Sequence, residues 1–124
     1  LQQIIIAGLG GFIGSACRFW LASVSYRLLG QDFPYGTMIV NILGCFLIGL
    51  LMSIFEERFL VSPNLRIFLT IGILGGFTTF SSFSFESLSL LREGNYFSGM
   101  SNILITLIGC LSATWIGTIF GKIL

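Results

Sequence analysis

Charged side chains punctuate this sequence at wide intervals, and the stretches between them are almost wholly apolar. Residues 1–17, 33–55, 67–85 and 94–121 carry no charge. A helix that crosses the hydrocarbon core of a bilayer needs about 20 mostly apolar residues. The second and fourth runs reach that length outright. The first does so if Arg18 is accommodated in the membrane, and the third if it continues past Glu86 to Leu91. The pattern predicts helices over residues 3–28, 35–56, 66–92 and 97–122, forming a single transmembrane domain over 1–124. The connections run from Leu29 to Pro34, Glu57 to Leu65 and Glu93 to Tyr96. They hold Gly30, Asp32, Pro34, Pro63, Asn64, Gly94 and Asn95, residues that favour turns. Ser62, just ahead of Pro63, is placed to open the third helix. The first apolar segment lacks a basic flank and continues through Arg18 to about Tyr26, so it reads as a retained span rather than a cleaved signal.

Glycines recur within these helices at a spacing that suits close packing. Gly10 and Gly14, Gly72 and Gly76, and Gly117 and Gly121 are each four apart. Small residues at that spacing let helix backbones approach one another in lipid. Gly8, Gly10 and Gly14 also mimic a nucleotide-binding glycine pattern, but that pattern has meaning only between a strand and a helix. No alternation of strands and helices is predicted here.

Composition agrees with a lipid environment. The chain is 55% hydrophobic and 9% charged, with a mean hydropathy of +0.99. Soluble domains carry about 25% charged residues. The net charge is +1 with no basic or acidic block, which leaves nucleic-acid binding without an electrostatic footprint. Cys17, Cys45 and Cys110 all lie inside apolar stretches, so they read as small packing residues and not as a disulfide framework or metal site. There is no histidine, the usual zinc ligand and the usual proton relay near neutral pH.

Four spans place both termini on one side. That side holds Arg58, Arg66 and Lys122, and the other holds Arg27 and Arg92. Orientation follows an excess of positive charge on the cytoplasmic side. Here the excess is a single residue, and it disappears if Arg18 is counted with the second side. Such balance suits insertion in both directions, or a weak bias completed by a partner or lipid. Dual insertion permits an antiparallel homodimer, which supplies the inverted repeat common in transport proteins.

The densest chemical signal is Gly75-Gly76-Phe77-Thr78-Thr79-Phe80-Ser81-Ser82-Phe83-Ser84-Phe85-Glu86 in the third helix. Paired glycines followed by paired threonines make a poor helix centre, and a break near the middle is predicted. Backbone groups freed at that depth must be satisfied by protein, ion or water. The competing reading is a continuous helix with a tight glycine contact. Phe80 and Phe83, three apart, share a helical face. The positive edges of their rings can line an anion path, with Ser81, Ser82 and Ser84 interleaved as donors. Core or lipid-facing phenylalanines are the competing reading, which the interleaved hydroxyls weaken.

Asn41 is the one amide in the second apolar run, with Thr37 four residues earlier on the same face. A buried amide needs partners, as helix–helix glue or as a pore-lining donor. The fourth helix carries Asn102, Thr106, Cys110 and Thr114 at intervals of four. Their hydroxyls can bond back to the preceding turn or present donors beside the phenylalanines. Arg18 and Glu86 are the deep ionisable residues, and such residues are costly unless they serve a path. Arg18 can concentrate anions in a vestibule while Glu86 marks the other end. Alternatively the two snorkel or pair with one another.

Three stretches together resemble one known family, the small bacterial fluoride channels of the Fluc or CrcB type, also linked to camphor resistance. They are Gly10-Gly11-Phe12-Ile13-Gly14-Ser15-Ala16-Cys17-Arg18, Gly36-Thr37-Met38-Ile39-Val40-Asn41-Ile42-Leu43-Gly44, and Gly75-Gly76-Phe77-Thr78-Thr79-Phe80-Ser81-Ser82-Phe83. The similarity covers essentially the whole chain. It implies an all-α integral membrane protein of the bacterial inner membrane, with four transmembrane helices, the third broken near its centre. It implies an antiparallel, dual-topology homodimer with two pores, and no enzymatic activity. By the same resemblance Phe80 and Phe83 from both subunits line each pore, with Asn41 as an amide donor. Thr79, Ser81, Ser82, Thr106 and Thr114 add hydroxyls along the path, and Arg18, Thr37 and Glu86 sit towards its ends. The backbone carbonyls of Gly75 and Thr78 from two subunits would surround a structural sodium ion. The family's polar track often includes a tyrosine and a serine. Here Asn102 and Cys110 take those places, and a thiol is the weaker donor.

The residues themselves point to a small-anion path; the choice of fluoride comes from the resemblance. A small, strongly hydrated ion needs many donors to replace its water, and a narrow aromatic throat excludes chloride by size. The main alternative is a small proton-coupled multidrug exporter, also four spans with dual topology. That class relies on a carboxylate in its first helix, where this chain has Arg18 and no acid. An accessory subunit of a larger membrane assembly is the third reading.

Overall fold

The computed structural model describes residues 1–58 and 61–124, so the loop expected between Glu57 and Leu65 lies partly outside the described residues. Every regular element among them is helical. They run α1 (Gln2–Leu29), α2 (Tyr35–Glu57), α3 (Pro63–Arg66), a π-helical stretch (Ile67–Leu74), α4 (Gly75–Phe77), α5 (Phe80–Arg92) and α6 (Tyr96–Ile123). Taken together these make four segments long and apolar enough to cross a membrane: Gln2–Leu29, Tyr35–Glu57, Pro63–Arg92 and Tyr96–Ile123.

The ends of the helices follow local chemistry. α1 stops at Gly30, whose φ of 93° is open to glycine and strained for other residues, and its N–H donates to the Tyr26 carbonyl at 2.9 Å. Pro34 then leads directly into α2. α3 opens with Ser62, whose hydroxyl oxygen accepts from the Leu65 N–H at 3.1 Å, and with Pro63 just inside the helix. The second positive-φ glycine, Gly94, turns the chain from α5 towards α6. The wider π winding of Ile67–Leu74 was not anticipated from the apolar pattern, which does not distinguish an α from a π turn.

Two contacts organise the bundle. α1 lies along the π-helical stretch, and the seam is built from glycines. A Cβ at Gly10 would stand 2.6 Å from the Phe68 carbonyl oxygen and 2.8 Å from Gly72 Cα. One at Gly14 would run into the Ile73 carbonyl, and one at Gly76 would come within 2.6 Å of the Gly11 carbonyl. α2 lies along α6 in a second backbone-close seam, where Gly49 meets the Thr114 carbonyl and Gly117 meets that of Phe46. Further along the seam Ile42 meets Gly109 and Ser53 meets Gly121, so the two helices ascend together and α2 and α6 run parallel, as the second and fourth of four sequential spans must. The exterior is apolar: Phe12, Phe19, Trp20, Leu111 and Trp115 are all exposed. Buried positions include many polar ones, among them Thr37, Asn41, Thr79, Ser87, Asn102 and Thr106. That inside-out distribution suits lipid as solvent, because the polar groups can be satisfied only by one another.

Candidate functional site

The polar groups gather around two residues of the third span. Thr78 (φ −92°, ψ 158°) and Thr79 (φ −151°, ψ 108°) are extended between α4 and α5. Gly75, by contrast, is helical, with φ −63° and ψ −37°. Asn41 on α2 serves the Thr79 peptide from both sides. Its Nδ2 donates to the Thr79 carbonyl at 3.0 Å, and its Oδ1 accepts from the Thr79 N–H at 2.8 Å. Asn41 is therefore glue for the third span, and it keeps a further amide N–H beyond the one used here.

This arrangement redirects the amides that ordinary helical bonding would use. In an α-helix the Gly75 carbonyl would accept from the Thr79 N–H, and the Thr78 carbonyl from the Ser82 N–H. Here the Thr79 N–H goes to Asn41, and the Ser82 N–H goes to Thr79 Oγ1 at 3.1 Å. The Thr79 side chain thus caps the start of α5. Its hydroxyl also lies 3.2 Å from Ser81 Oγ and 3.1 Å from Ser82 Oγ. Thr78 turns its own hydroxyl back to the Leu74 carbonyl at 2.9 Å.

Clefts open on both sides of the Asn41–Thr79 pair. One, of about 220 Å³, is walled by Asn41, Cys45, Phe80, Phe83, Thr106 and Cys110, together with Thr78 and Thr79. The Phe80 and Phe83 rings are tilted at 52° with centroids 5.5 Å apart. Phe83 is buried, while Phe80 is 74% exposed and stands out from the helix bundle. The other cleft, of about 190 Å³, brings Arg18, Ser15, Thr37, Thr79 and Ser82 together. A third, of about 400 Å³, lies at the loop end, with Tyr26, Asp32, Glu86 and Glu93 in its wall.

Glu86 takes its partners from α1 and α2. The Thr37 hydroxyl lies 2.6 Å and 3.0 Å from its two carboxylate oxygens, and the Tyr26 hydroxyl donates at 3.4 Å. Its hydrogen-bond partners are these hydroxyls, and the ion pair with Arg18 weighed from sequence is not what holds it. The α6 stripe divides. Asn102 Nδ2 donates to Ser87 Oγ at 2.8 Å, and Thr106 Oγ1 donates to Asn102 Oδ1 at 3.3 Å. Thr114 instead bonds back to the Cys110 carbonyl at 3.0 Å and does not line the aromatic cleft. The steps of four along α6 drift around the helix, so the stripe does not stay on one wall.

Three participants were missed from sequence. Cys45 stands one turn after Asn41 on the same face of α2, and that spacing was available. Ser87 and Tyr26 carried no such signal, because their partners lie on other helices.

Four spans with their polar groups gathered about Thr78 and Thr79 of the third define a small multi-pass membrane protein. The sequence profile of "CrcB-like protein, Camphor Resistance (CrcB)" matches residues 5–118, and the chain belongs to that family. A protein of Citrifermentans bemidjiense named "Fluoride-specific ion channel FluC" is 42% identical over 124 residues, the full length of both chains. Proteins of the same name from Geotalea daltonii and Clostridium perfringens are similar too. The first is 47% identical over 94% of each chain, and the second is 46% identical over 89% of this chain and 85% of its own.

Proposed function

We propose that this protein is a fluoride channel of the bacterial inner membrane, conducting passively through an antiparallel, dual-topology homodimer with two pores. The observation that carries the reading is the aromatic cleft beside the Asn41–Thr79 pair, where Phe80 projects away from its own bundle. An exposed ring next to a half-open polar cleft calls for a second subunit to complete the wall. The names of the relatives supply the ion.

In this reading the third span is broken at Thr78 and Thr79. Fluoride enters past Arg18, Thr37 and Ser82, and Arg18 raises its local concentration. Asn41, Thr79 and Ser81 offer donors in place of water, with Thr106 on the cleft wall but its hydroxyl committed to Asn102, while the edges of Phe80 and Phe83 hold the ion without a fixed charge that would trap it. Glu86, held by Thr37 and Tyr26, lies beside this entrance and not at the opposite end of the path from Arg18, because Thr37 borders the Arg18 cleft and bonds Glu86 directly. Thr114 is kept as a positioning residue, because its hydroxyl is committed to the Cys110 carbonyl.

A structural sodium ion at the subunit interface fits the residues present. The Gly75 and Thr78 carbonyls have lost their usual amide donors, as the redirected Thr79 and Ser82 N–H groups require. Freed carbonyls of broken membrane helices suit Na⁺. Gly75 is also exposed, and a Cβ there would meet nothing closer than the Thr70 carbonyl at 3.8 Å. Bound there, the ion would neutralise carbonyl dipoles and join the two subunits.

Purified protein in liposomes tests the proposal. Electrogenic fluoride efflux without a proton gradient, with chloride retained, is the expected result. Proton-linked exchange of organic cations would instead indicate the multidrug exporter, and inert liposomes an accessory subunit. Gly75→Val should weaken sodium dependence or dimer assembly; unchanged sodium occupancy in that variant counts against the carbonyl site.

A further inference from the structure

Conduction leaves two thiols of the aromatic cleft without a role. Cys45 stands four residues after Asn41 on α2, and Cys110 four after Thr106 on α6. Each lies one turn beyond a polar residue of the same wall. The two helices meet closely here. A Cβ on Gly109 would stand 3.0 Å from Ile42 Cδ1, and one on Gly49 would strike the Thr114 carbonyl. That approach places Cys45 and Cys110 together in the wall of one cleft. Both residues are half-buried and both border the aromatic cleft. Cys17, the other free cysteine, is exposed on α1.

Paired thiols can bind what one thiol holds weakly. Soft sulfur ligands select soft metal ions, whereas hard cations demand several oxygens. Zinc prefers four ligands in a structural site. Among the described residues, no group of three or more His, Cys, Asp or Glu side chains gathers to hold a metal. An ion satisfied by two sulfurs in line is the kind that this pair can take. We propose that Cys45 and Cys110 form a site for a two-coordinate thiophilic cation, of the Cu(I), Ag(I) and Hg(II) class, opening on the aromatic cleft.

With mercuric chloride as the probe, the step balances without redox chemistry. Each thiol loses its proton, two S–Hg bonds form, two Hg–Cl bonds break, and hydrogen chloride leaves. The bound metal would stand in the wall of the proposed conduit and obstruct it. That consequence rests on the channel reading, whereas the site itself does not.

The experiment uses the full-length Cys17→Ser protein, so that the exposed thiol does not compete. After mercuric chloride and a monothiol wash, intact mass should show a single mercury per chain. The increment should equal the metal less the two thiol protons, with no chloride retained and with both cysteines protected from maleimide. Adding Cys45→Ser or Cys110→Ser should leave only an adduct that the wash removes. Mercury held separately on each sulfur with its chloride, or cysteines still open to maleimide, overturns the proposal. In liposomes the bridged protein should lose fluoride flux, and each single-thiol variant should return to its own untreated rate after the wash. Bridged mercury with undiminished flux would uphold the metal site and overturn the placement of the conduit in this cleft.

Discussion

From Pro63 to Phe77 the third span presents glycines and aliphatic side chains to α1; from Phe80 to Arg92 it alternates rings and hydroxyls towards α2 and α6. The first stretch gains its stability from backbone proximity. Gly72 and Gly76 lie against Gly10 and Gly11 so closely that a side chain at any of the tightest points would meet main-chain atoms. The second stretch is held by side-chain hydrogen bonds: Thr79 at its cap, Ser87 to Asn102, and Glu86 to Thr37. A bilayer offers no hydrophobic force to press helices together, so both solutions are needed. The packing half can be apolar throughout, while the half that borders clefts must satisfy each polar group by name.

This contrast predicts different failures for the two halves. The largest effect is expected at the glycine seam. Gly14→Leu pushes a side chain into the Ile73 carbonyl, and overpacking of this kind costs about 1–3 kcal/mol or more. Backbone cannot yield as a side chain can, so the expected outcome is loss of folded protein on size-exclusion chromatography. An unchanged elution profile would show that the seam is looser than its geometry. Next comes Asn41→Leu, which strips the Thr79 peptide of both partners. Leaving buried backbone groups unpaired costs about 1–3 kcal/mol, visible as a lower unfolding temperature together with reduced fluoride flux.

Phe80→Leu or Phe83→Leu should separate function from assembly. Loss of aromatic edge contacts worth about 0.5–1.5 kcal/mol corresponds to a flux reduced by up to about tenfold. The proposed dimer should stay intact. Unaltered flux in both variants would remove the aromatic throat from the mechanism. The smallest effect belongs to Ser62→Ala at the start of the packing half. A lost N-cap costs about 0.5–2 kcal/mol, at an exposed position remote from the clefts. A modest fall in thermal stability with unchanged fluoride flux is expected, and a flux defect there would mean that the two halves are more tightly coupled than their contacts indicate.

Much of the architecture was legible because lipid imposes simple rules. Charge-free runs marked four spans, and the turn residues around Gly30 and Gly94 marked where the chain reverses. The glycine pairs likewise announced backbone-close seams. The neighbourhood of the site was legible only in outline. Gly75-Gly76-Phe77-Thr78-Thr79 drew attention as a poor helix centre. Yet Gly75 and Gly76 are helical, with Gly76 serving the contact with Gly11, and the extended residues are the threonines. Sequence could not choose between a glycine contact and a departure from helix, since both features occur within five residues. The α6 stripe was also overread. Its four polar residues divide between a buried network at Asn102 and Thr106 and a local back-bond at Thr114.

Composition and the spacing of charges by themselves determined that this chain lives in lipid as four helices, because unpaired backbone is intolerable there and apolar length is easily read. Family membership, too, was written in linear motifs. Only the tertiary structure decided which groups meet: that Asn41 holds the Thr79 peptide, that Glu86 answers to Thr37 and Tyr26, and that Cys45 and Cys110 share the wall of one cleft. Each of these partnerships joins residues on different helices. Their meeting depends on the rotation and depth at which the helices pack, and no periodicity along one helix encodes the rotation of its neighbour.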